Sequence, residues 1–395
     1  MARATVGRLA LVLLACLVSV TPARGQTGET VALFNGKDLD GWHKVGGGAT
    51  YRVENGEIVG EVGPGPNTFL RTDKTYADFR LELDARFDVP GNSGVQFRSH
   101  QRPGANGRVY GYQFEMDPSP RAWSGGIYDE AARGWLFPLT DHPEAQKAFK
   151  LNDWNHFVIE ARGPVLRTEI NGVPCANLID PVESEGFIAL QVHQGKAGRI
   201  RWKNIRLTDY GTPARRDLFN GKNLDGWHAS GGGHWKVEEG AIHGASSTAE
   251  KHHGHLFTDE SYHDFAVTLQ FKPVKGDSGL YFRSGENGAS GVVGIQANID
   301  PEKDTGGLYE IDGRGWLARP LPADIKKVLK PGEWNTLSVV AIRGHIVVHV
   351  NGRQTAEIRD AASRPSGPLA LQVHAAQDVD VWFKDIRILP IDSAR

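Results

Sequence analysis

Apolar and polar side chains alternate with period two along most of the chain. The run Arg80-Leu81-Glu82-Leu83-Asp84-Ala85-Arg86-Phe87 is the cleanest, and residues 157–161, 166–170 and 187–192 repeat the pattern. On a strand, such alternation sends one row of side chains into a core and the other to an outer face. Turn residues separate the runs, as Asn171-Gly172 does after 166–170. Short strands between Gly, Pro and Asn turns predict an all-β fold, a sandwich or jelly roll, with one closed barrel per domain as the other architecture that fits. Helical periodicity is confined to 143–150 and 323–329, each long enough for one short helix.

The pattern occurs twice. Leu33-Phe34-Asn35-Gly36-Lys37-Asp38-Leu39-Asp40-Gly41-Trp42 returns as Leu218-Phe219-Asn220-Gly221-Lys222-Asn223-Leu224-Asp225-Gly226-Trp227. Asn92-Ser93-Gly94-Val95-Gln96-Phe97-Arg98-Ser99 returns as Asp277-Ser278-Gly279-Leu280-Tyr281-Phe282-Arg283-Ser284. Trp154-Asn155 matches Trp334-Asn335, and Leu190-Gln191-Val192-His193 matches Leu371-Gln372-Val373-His374. The offset stays at roughly 180–186 positions, the size of a domain and not of a solenoid unit. Two tandem domains are expected, 26–210 and 214–391, joined at the turn-rich residues 211–213.

Residues 1–25 read as a cleaved secretory signal peptide. Arg3 and Arg8 precede an apolar run from Leu9 to Val20, about a dozen residues and too short to span a membrane. Small-residue cleavage sites follow near Ala23 and Gly25. Leu13-Leu14-Ala15-Cys16 has the outline of a lipoprotein box, but the apolar Leu17-Val18 after the cysteine fits the middle of the leader better. A secreted or periplasmic location follows. Of the two cysteines, only Cys175 survives cleavage, so the mature chain has no intrachain disulfide and relies on its core. With a formal net charge of −2 and charges of both signs interspersed, nothing points to a nucleic-acid partner.

The densest collection of chemistry lies in 111–135. Tyr112, Phe114 and Met116 alternate with Gln113, Glu115 and Asp117; a loop leads to Tyr128, Asp129, Glu130, Arg133 and Trp135. With the apolar rows turned inward, Gln96, Arg98, Gln113, Glu115, Asp117, Gln191 and His193 share one outer face if their strands share a sheet. Read as loop residues, Tyr128, Asp129, Glu130 and Arg133 can close over it. A carboxylate, an imidazole and a guanidinium together suit acid–base chemistry on a polyol, amides bind sugar hydroxyls, and Trp123 or Trp135 can stack on a ring. In the second repeat the corresponding residues are Arg283, Gln296, Asp300, Glu310, Arg314 and His374, with Asn298 where Glu115 stands. The first repeat is therefore expected to be the better catalyst. His252-His253-Gly254-His255 has metal-like spacing but occurs in one copy only.

The opening motif, Asp78-Phe79, the Asn92–Ser99 octapeptide, Gly111-Tyr112-Gln113, Trp154-Asn155 and the closing Leu190-Gln191-Val192-His193 resemble the 3-keto-disaccharide hydrolase family, also named 3-keto-glucoside 1,2-lyase/3-keto-2-hydroxy-glucal hydratase. The resemblance covers both repeats. It implies a concanavalin A-like jelly roll and a sugar substrate whose C3 ketone acidifies the C2 hydrogen. For that chemistry the expected roles are Glu115 or His193 as base, Arg98 with Gln113 at the oxyanion, and Asp117 or Asp129 as acid or metal ligand. Gln96, Gln113, Tyr128, Glu130, Arg133, Gln191 and Trp135 are expected to bind substrate. A divalent metal ion bridging the ketone and the 2-hydroxyl would serve the same electrostatic purpose. Many relatives in the family have an acid where this chain has Gln113; here the acid stands at Glu115.

Two other functions compete. A tandem carbohydrate-binding, lectin-like protein would use the same fold without catalysis. An endoglucanase would need a second carboxylate at Pro120, where the Glu115-Met116-Asp117 stretch has none. The chain has no Rossmann fingerprint, so a separate sugar 3-oxidoreductase would have to supply a 3-keto substrate.

Overall fold

The computed structural model describes residues 28–104, 107–287 and 290–392; the expected signal peptide, 1–25, lies outside them. The chain folds as two tandem jelly-roll sandwiches, each a pair of antiparallel sheets packed face to face.

In the first sandwich one sheet runs Val173–Ile179, Val165–Ile170, Asn155–Arg162, Asp78–Val89, Arg199–Gly211, Glu57–Glu61 and Thr50–Glu54, with Glu29–Ala32 pairing on Arg199–Gly211. The other runs Gly134–Phe137, Ile127–Glu130, Val109–Met116, Ser93–Gln101, Gly186–Val192, Thr68–Tyr76 and Trp42–Gly46. The alternating rows meet between them: Leu81, Leu83 and Phe157 from the first sheet and Val95, Phe97, Phe114 and Leu190 from the second are all buried in one core. The second sandwich repeats this order, with Ser278–Gly285, Val293–Ile299 and Gly367–Val373 at the centre of its second sheet. The helices are short, Pro143–Gln146 and Pro322–Val328. Among the described residues no helix is long and apolar enough to cross a membrane.

The motifs that mark the repeats mostly act as staples. Trp42 donates its indole N–H to Leu33 O, and Trp227 does the same to Leu218 O, each at 2.7 Å. Asn155 ties down the preceding turn through both its amide atoms, bonding Lys150 N and O at 2.8 Å. Cys175 is free and buried.

The two sandwiches touch. Ile179 of the first packs with Val340 and Val347 of the second. Beside them lies a polar cluster. Arg133 binds Asp129 through Nε at 2.5 Å, Asp180 through Nη1 at 2.6 Å, and Gly352 O of the second domain at 3.2 Å. Tyr112 Oη donates to Asp180 at 2.5 Å, and His349 Nε2 of the second domain stands 3.5 Å from the same carboxylate.

Candidate functional site

The site forms on the outer face of the second sheet, where the polar row of each strand emerges. Gln113 lies opposite Gln96, Glu115 opposite Gly94, and Gly94 opposite Gln191 on the next strand. Gly94 leaves room for the Gln113 side chain, which lies across it: a Cβ there would lie 2.5 Å from that side chain. The polar groups form a chain. Ser99 Oγ donates to Gln96 Oε1 at 2.7 Å, Gln96 Nε2 to Gln113 Oε1 at 2.6 Å, and Gln113 Nε2 to Glu115 Oε2 at 2.8 Å. Asn92 Nδ2 donates to the other Glu115 oxygen at 2.7 Å.

Glu115 is only 5% exposed. Burial pushes its carboxyl above the usual range; the Asn92 and Gln113 donors counter this in part, and the nearby Asp117 charge adds to the rise. Gln191 is fully buried and neither atom of its amide finds a partner among the described residues. An unpaired buried amide costs stability, so the hydrogen-bonding capacity of Gln191 is unspent in this state. His193 Nδ1 lies 2.8 Å from Gln194 O; a carbonyl only accepts, so Nδ1 carries the proton and Nε2 is left as an acceptor. Burial also raises the Glu130 carboxyl, and Arg108, His193 and Asn67 pull it back.

One corner of the face is aromatic. Tyr128 and Trp135 meet edge to face at 5.3 Å, Trp123 and Trp135 at 4.7 Å, and the Arg121 guanidinium covers both tryptophans. Asp117 sits beside this corner, but its oxygens are engaged by Ser119 N at 3.0 Å and Arg121 Nε at 2.8 Å.

Three pairs of expected site residues are elsewhere. Arg98 and Arg283 do not point onto the face. Each has a left-handed backbone, φ 45° and 46°, at a bulge that breaks the alternation. Arg98 is 1% exposed and turned to the end of the sandwich, where it binds Ala77 O, Gly163 O and Asp78. Arg283 binds His263 O, Arg343 O and Asp264 in the same way. Asp129 and Arg133 belong to the inter-domain cluster, because Asp129 is in register with the inward Tyr112 and not with Gln113. Glu310 and Arg314 form the corresponding cluster with Asp360 in the second domain.

The second domain's outer face carries an open cavity of ≈ 610 Å³. Gln296 and Asp300 line it with His374, and so do two residues the sequence reading did not single out, Asp277 and Tyr281. Asp277 is the counterpart of Asn92, a signal present in the aligned octapeptides. His253 stands where the first domain has Asn67 and accepts the Ala375 N–H as Asn67 accepts that of Gln194. A second cavity of ≈ 610 Å³ lies beside the helix Pro322–Val328, but its carboxylate, Asp324, is paired with Lys327. Among the described residues no three or more His, Cys, Asp or Glu side chains converge as ligands of a cation would. The two carboxylates expected as metal ligands, Asp117 and Asp129, are held by Arg121 and Arg133.

A model of the 3-keto-alpha-glucoside-1,2-lyase-like domain matches residues 29–208 and again 214–389. The chain belongs to that family. Both outer faces are thus faces of a 3-keto-alpha-glucoside-1,2-lyase-like domain, and the protein is carbohydrate-active. Solved structures similar to one domain include a provisionally named glycosyl hydrolase from Parabacteroides distasonis ATCC 8503, with 22% identity over 45% of this chain and 94% of that one, TM-score 0.35. A carbohydrate-binding module from Bacillus subtilis aligns with 16% identity over 41% and 94%, TM-score 0.33. No match was found among curated proteins.

Proposed function

We propose that the protein cleaves 3-keto-glycosides, 3-keto-disaccharides among them, by proton abstraction at C2, elimination at C1 and hydration. Glu115 takes the C2 proton. The electron pair rests first on the C3 oxygen as an enolate, then closes the C1–C2 double bond as the C1–O bond breaks. The leaving oxygen gains a proton and departs as an alcohol. Water then adds its oxygen to C1 and a proton to C2, so the sum is glycoside plus water giving 3-keto sugar plus alcohol.

The observation that carries this reading is Glu115 itself. It is nearly sealed from solvent, fixed by Asn92 and Gln113, and raised by burial toward the pH where a carboxylate is a more effective base. Gln191 takes the stabilising role expected of Arg98, since its unpartnered amide can donate to a developing oxyanion. His193, beside Glu130, is the second proton-transfer group. Tyr128, at the edge of the aromatic corner, offers a ring for the sugar beside the tryptophans that Arg121 covers. The first domain is the principal site, a separate oxidoreductase supplies the ketone, and the arginine-flanked leader supports a secreted or periplasmic setting.

The test is turnover of a 3-keto-disaccharide by the mature protein, followed by enone absorbance and by release of 3-keto-glucose. Glu115→Gln should lower kcat at least ~10-fold. Cleavage of the parent disaccharide but not the 3-keto compound would overturn the reading. Saturable binding of unoxidised oligosaccharides without turnover would favour the lectin-like alternative, which the aromatic corner also supports.

A further inference from the structure

We infer that the second domain carries a proton-transfer site of its own for 3-keto sugars, with Asp277 as its base. This rests on the reading of the first domain given above. In the first repeat an amide, Asn92, enters the strand Ser93–Gln101 and an acid, Glu115, answers it from the strand Val109–Met116. In the second repeat the two groups are exchanged: the acid, Asp277, enters Ser278–Gly285 and the amide, Asn298, lies on Val293–Ile299. The registers are equivalent, Gly94 opposite Glu115 and Gly279 opposite Asn298. Each pair therefore keeps one carboxylate and one carboxamide. Asn298 at the Glu115 position removes the first domain's base without leaving the face uncharged.

The surroundings of the moved acid suit proton transfer. Asp277 Oδ1 is buried and has no hydrogen-bond partner among the described residues, and the residue lines the ≈ 610 Å³ cavity. The glutamine that holds Glu115 in the first domain is otherwise engaged here: Gln296 Nε2 donates to Gln372 Oε1 at 2.6 Å and Ser278 O at 3.0 Å. Asp277 thus lacks the two donors that steady the Glu115 anion. Burial and the neighbouring Asp300 and Asp304 charges push its carboxyl up to about 7, against the backbone N–H of Ser278 and the charge of Lys303. Tyr281 lines the same cavity.

His253 and His374 line the same cavity, rings 4.2 Å apart, and the His374 backbone N–H donates to Asp277 O at 3.3 Å. His374 Nδ1 lies 2.7 Å from Ala375 O and so donates, leaving Nε2 bare. His253 Nδ1 accepts the Ala375 N–H at 3.1 Å, which puts its proton on Nε2. A donor and an acceptor nitrogen thus stand side by side. The step assigned to Asp277 is the same as for Glu115: the C2–H bond breaks, the proton goes to the carboxylate, and the pair is held on the C3 oxygen.

The experiment compares the full mature chain with Glu115→Gln, Asp277→Asn and the double variant. Two readouts are taken: cleavage of a 3-keto-disaccharide, and solvent deuterium exchange at C2 of 3-keto-glucose by proton NMR. The Glu115→Gln protein should retain exchange above the spontaneous rate, rising through about pH 7, and the double variant should lose that remainder by ~10²-fold. Equal rates for Glu115→Gln and the double variant would overturn the inference. If no form cleaves the disaccharide yet Glu115→Gln exchanges C2 hydrogen in an Asp277-dependent way, the cleavage reading fails and the second site stands. With neither exchange nor cleavage in any form, both fall.

Discussion

Replacing Arg133 by alanine isolates the clamp between the domains. The guanidinium is 10% exposed and contacts Asp129 and Asp180, themselves 4% and 3% exposed. Burial alone would raise the Asp180 carboxyl; His349 and Arg133 outweigh it and hold it at about 2 instead of 3.8. That difference is worth about 2 kcal/mol to the folded state at neutral pH. Loss of the guanidinium also strands Asp129 and removes the donor to Gly352 O, so the whole cost should be about 3–5 kcal/mol, as for other broken buried pairs. The sign follows from the lowered value. Stabilisation by Asp180 is fully present above about pH 4 and is lost as pH falls toward 2, so the gap between wild type and variant should narrow in that window.

The second repeat supplies the control. Arg314 meets Glu310 at 2.5 Å and Asp360 at 2.8 Å, but it is 42% exposed, and water screens it. Arg314→Ala should therefore cost no more than about 1 kcal/mol. The assay is urea unfolding followed by tryptophan fluorescence at several pH values. Equal losses for the two arginines, or an Arg133→Ala loss that does not shrink below pH 4, would refute the reasoning.

Three further outcomes are expected. Gly94→Ala should place a Cβ against the Gln113 side chain, leave the fold intact at a cost of about 1–3 kcal/mol, and cut turnover by displacing Gln113 from Glu115; crystallography and kcat together check it. Cys175, whose thiol burial pushes up to about 12, should resist alkylation in the native mature protein and react once urea unfolds the first domain; rapid native labelling would contradict its burial. Arg98→Lys should lower the denaturation midpoint, since lysine cannot reproduce bonds to Ala77 O, Gly163 O and Asp78 together, yet leave the pH profile of turnover unchanged.

The parts of the face legible in the sequence were those governed by unbroken alternation. Gln96, Gln113, Glu115 and Gln191 fall opposite Val95, Phe114 and Leu190 by period alone, and they meet on one surface. Arg98 and Arg283 did not follow because a single left-handed residue at a bulge shifts the phase, and nothing in an arginine codon marks that backbone state. Asp129 could have been excluded: if Tyr128 is on the face, its neighbour on the strand is not. Treating 128–133 as a loop hid that. Asp277 is visible in the aligned octapeptides as the counterpart of Asn92, while the Glu115 position itself holds Asn298. His253 and His255 occur in one copy only, yet each stands at a face position, replacing Asn67 and Phe69. The inter-domain cluster was not legible at all, since it joins residues from Tyr112 to Gly352 through packing that no local pattern specifies.

The most direct test of C2 proton abstraction is cleavage of a 3-keto-disaccharide in deuterium oxide, with the released 3-keto-glucose analysed by mass spectrometry and proton NMR at early conversion. Elimination followed by hydration returns a solvent proton to C2, so the account predicts one deuterium there in the product of the first turnover. Product formed at full rate with protium retained at C2 would mean direct hydrolysis at C1, and would contradict it.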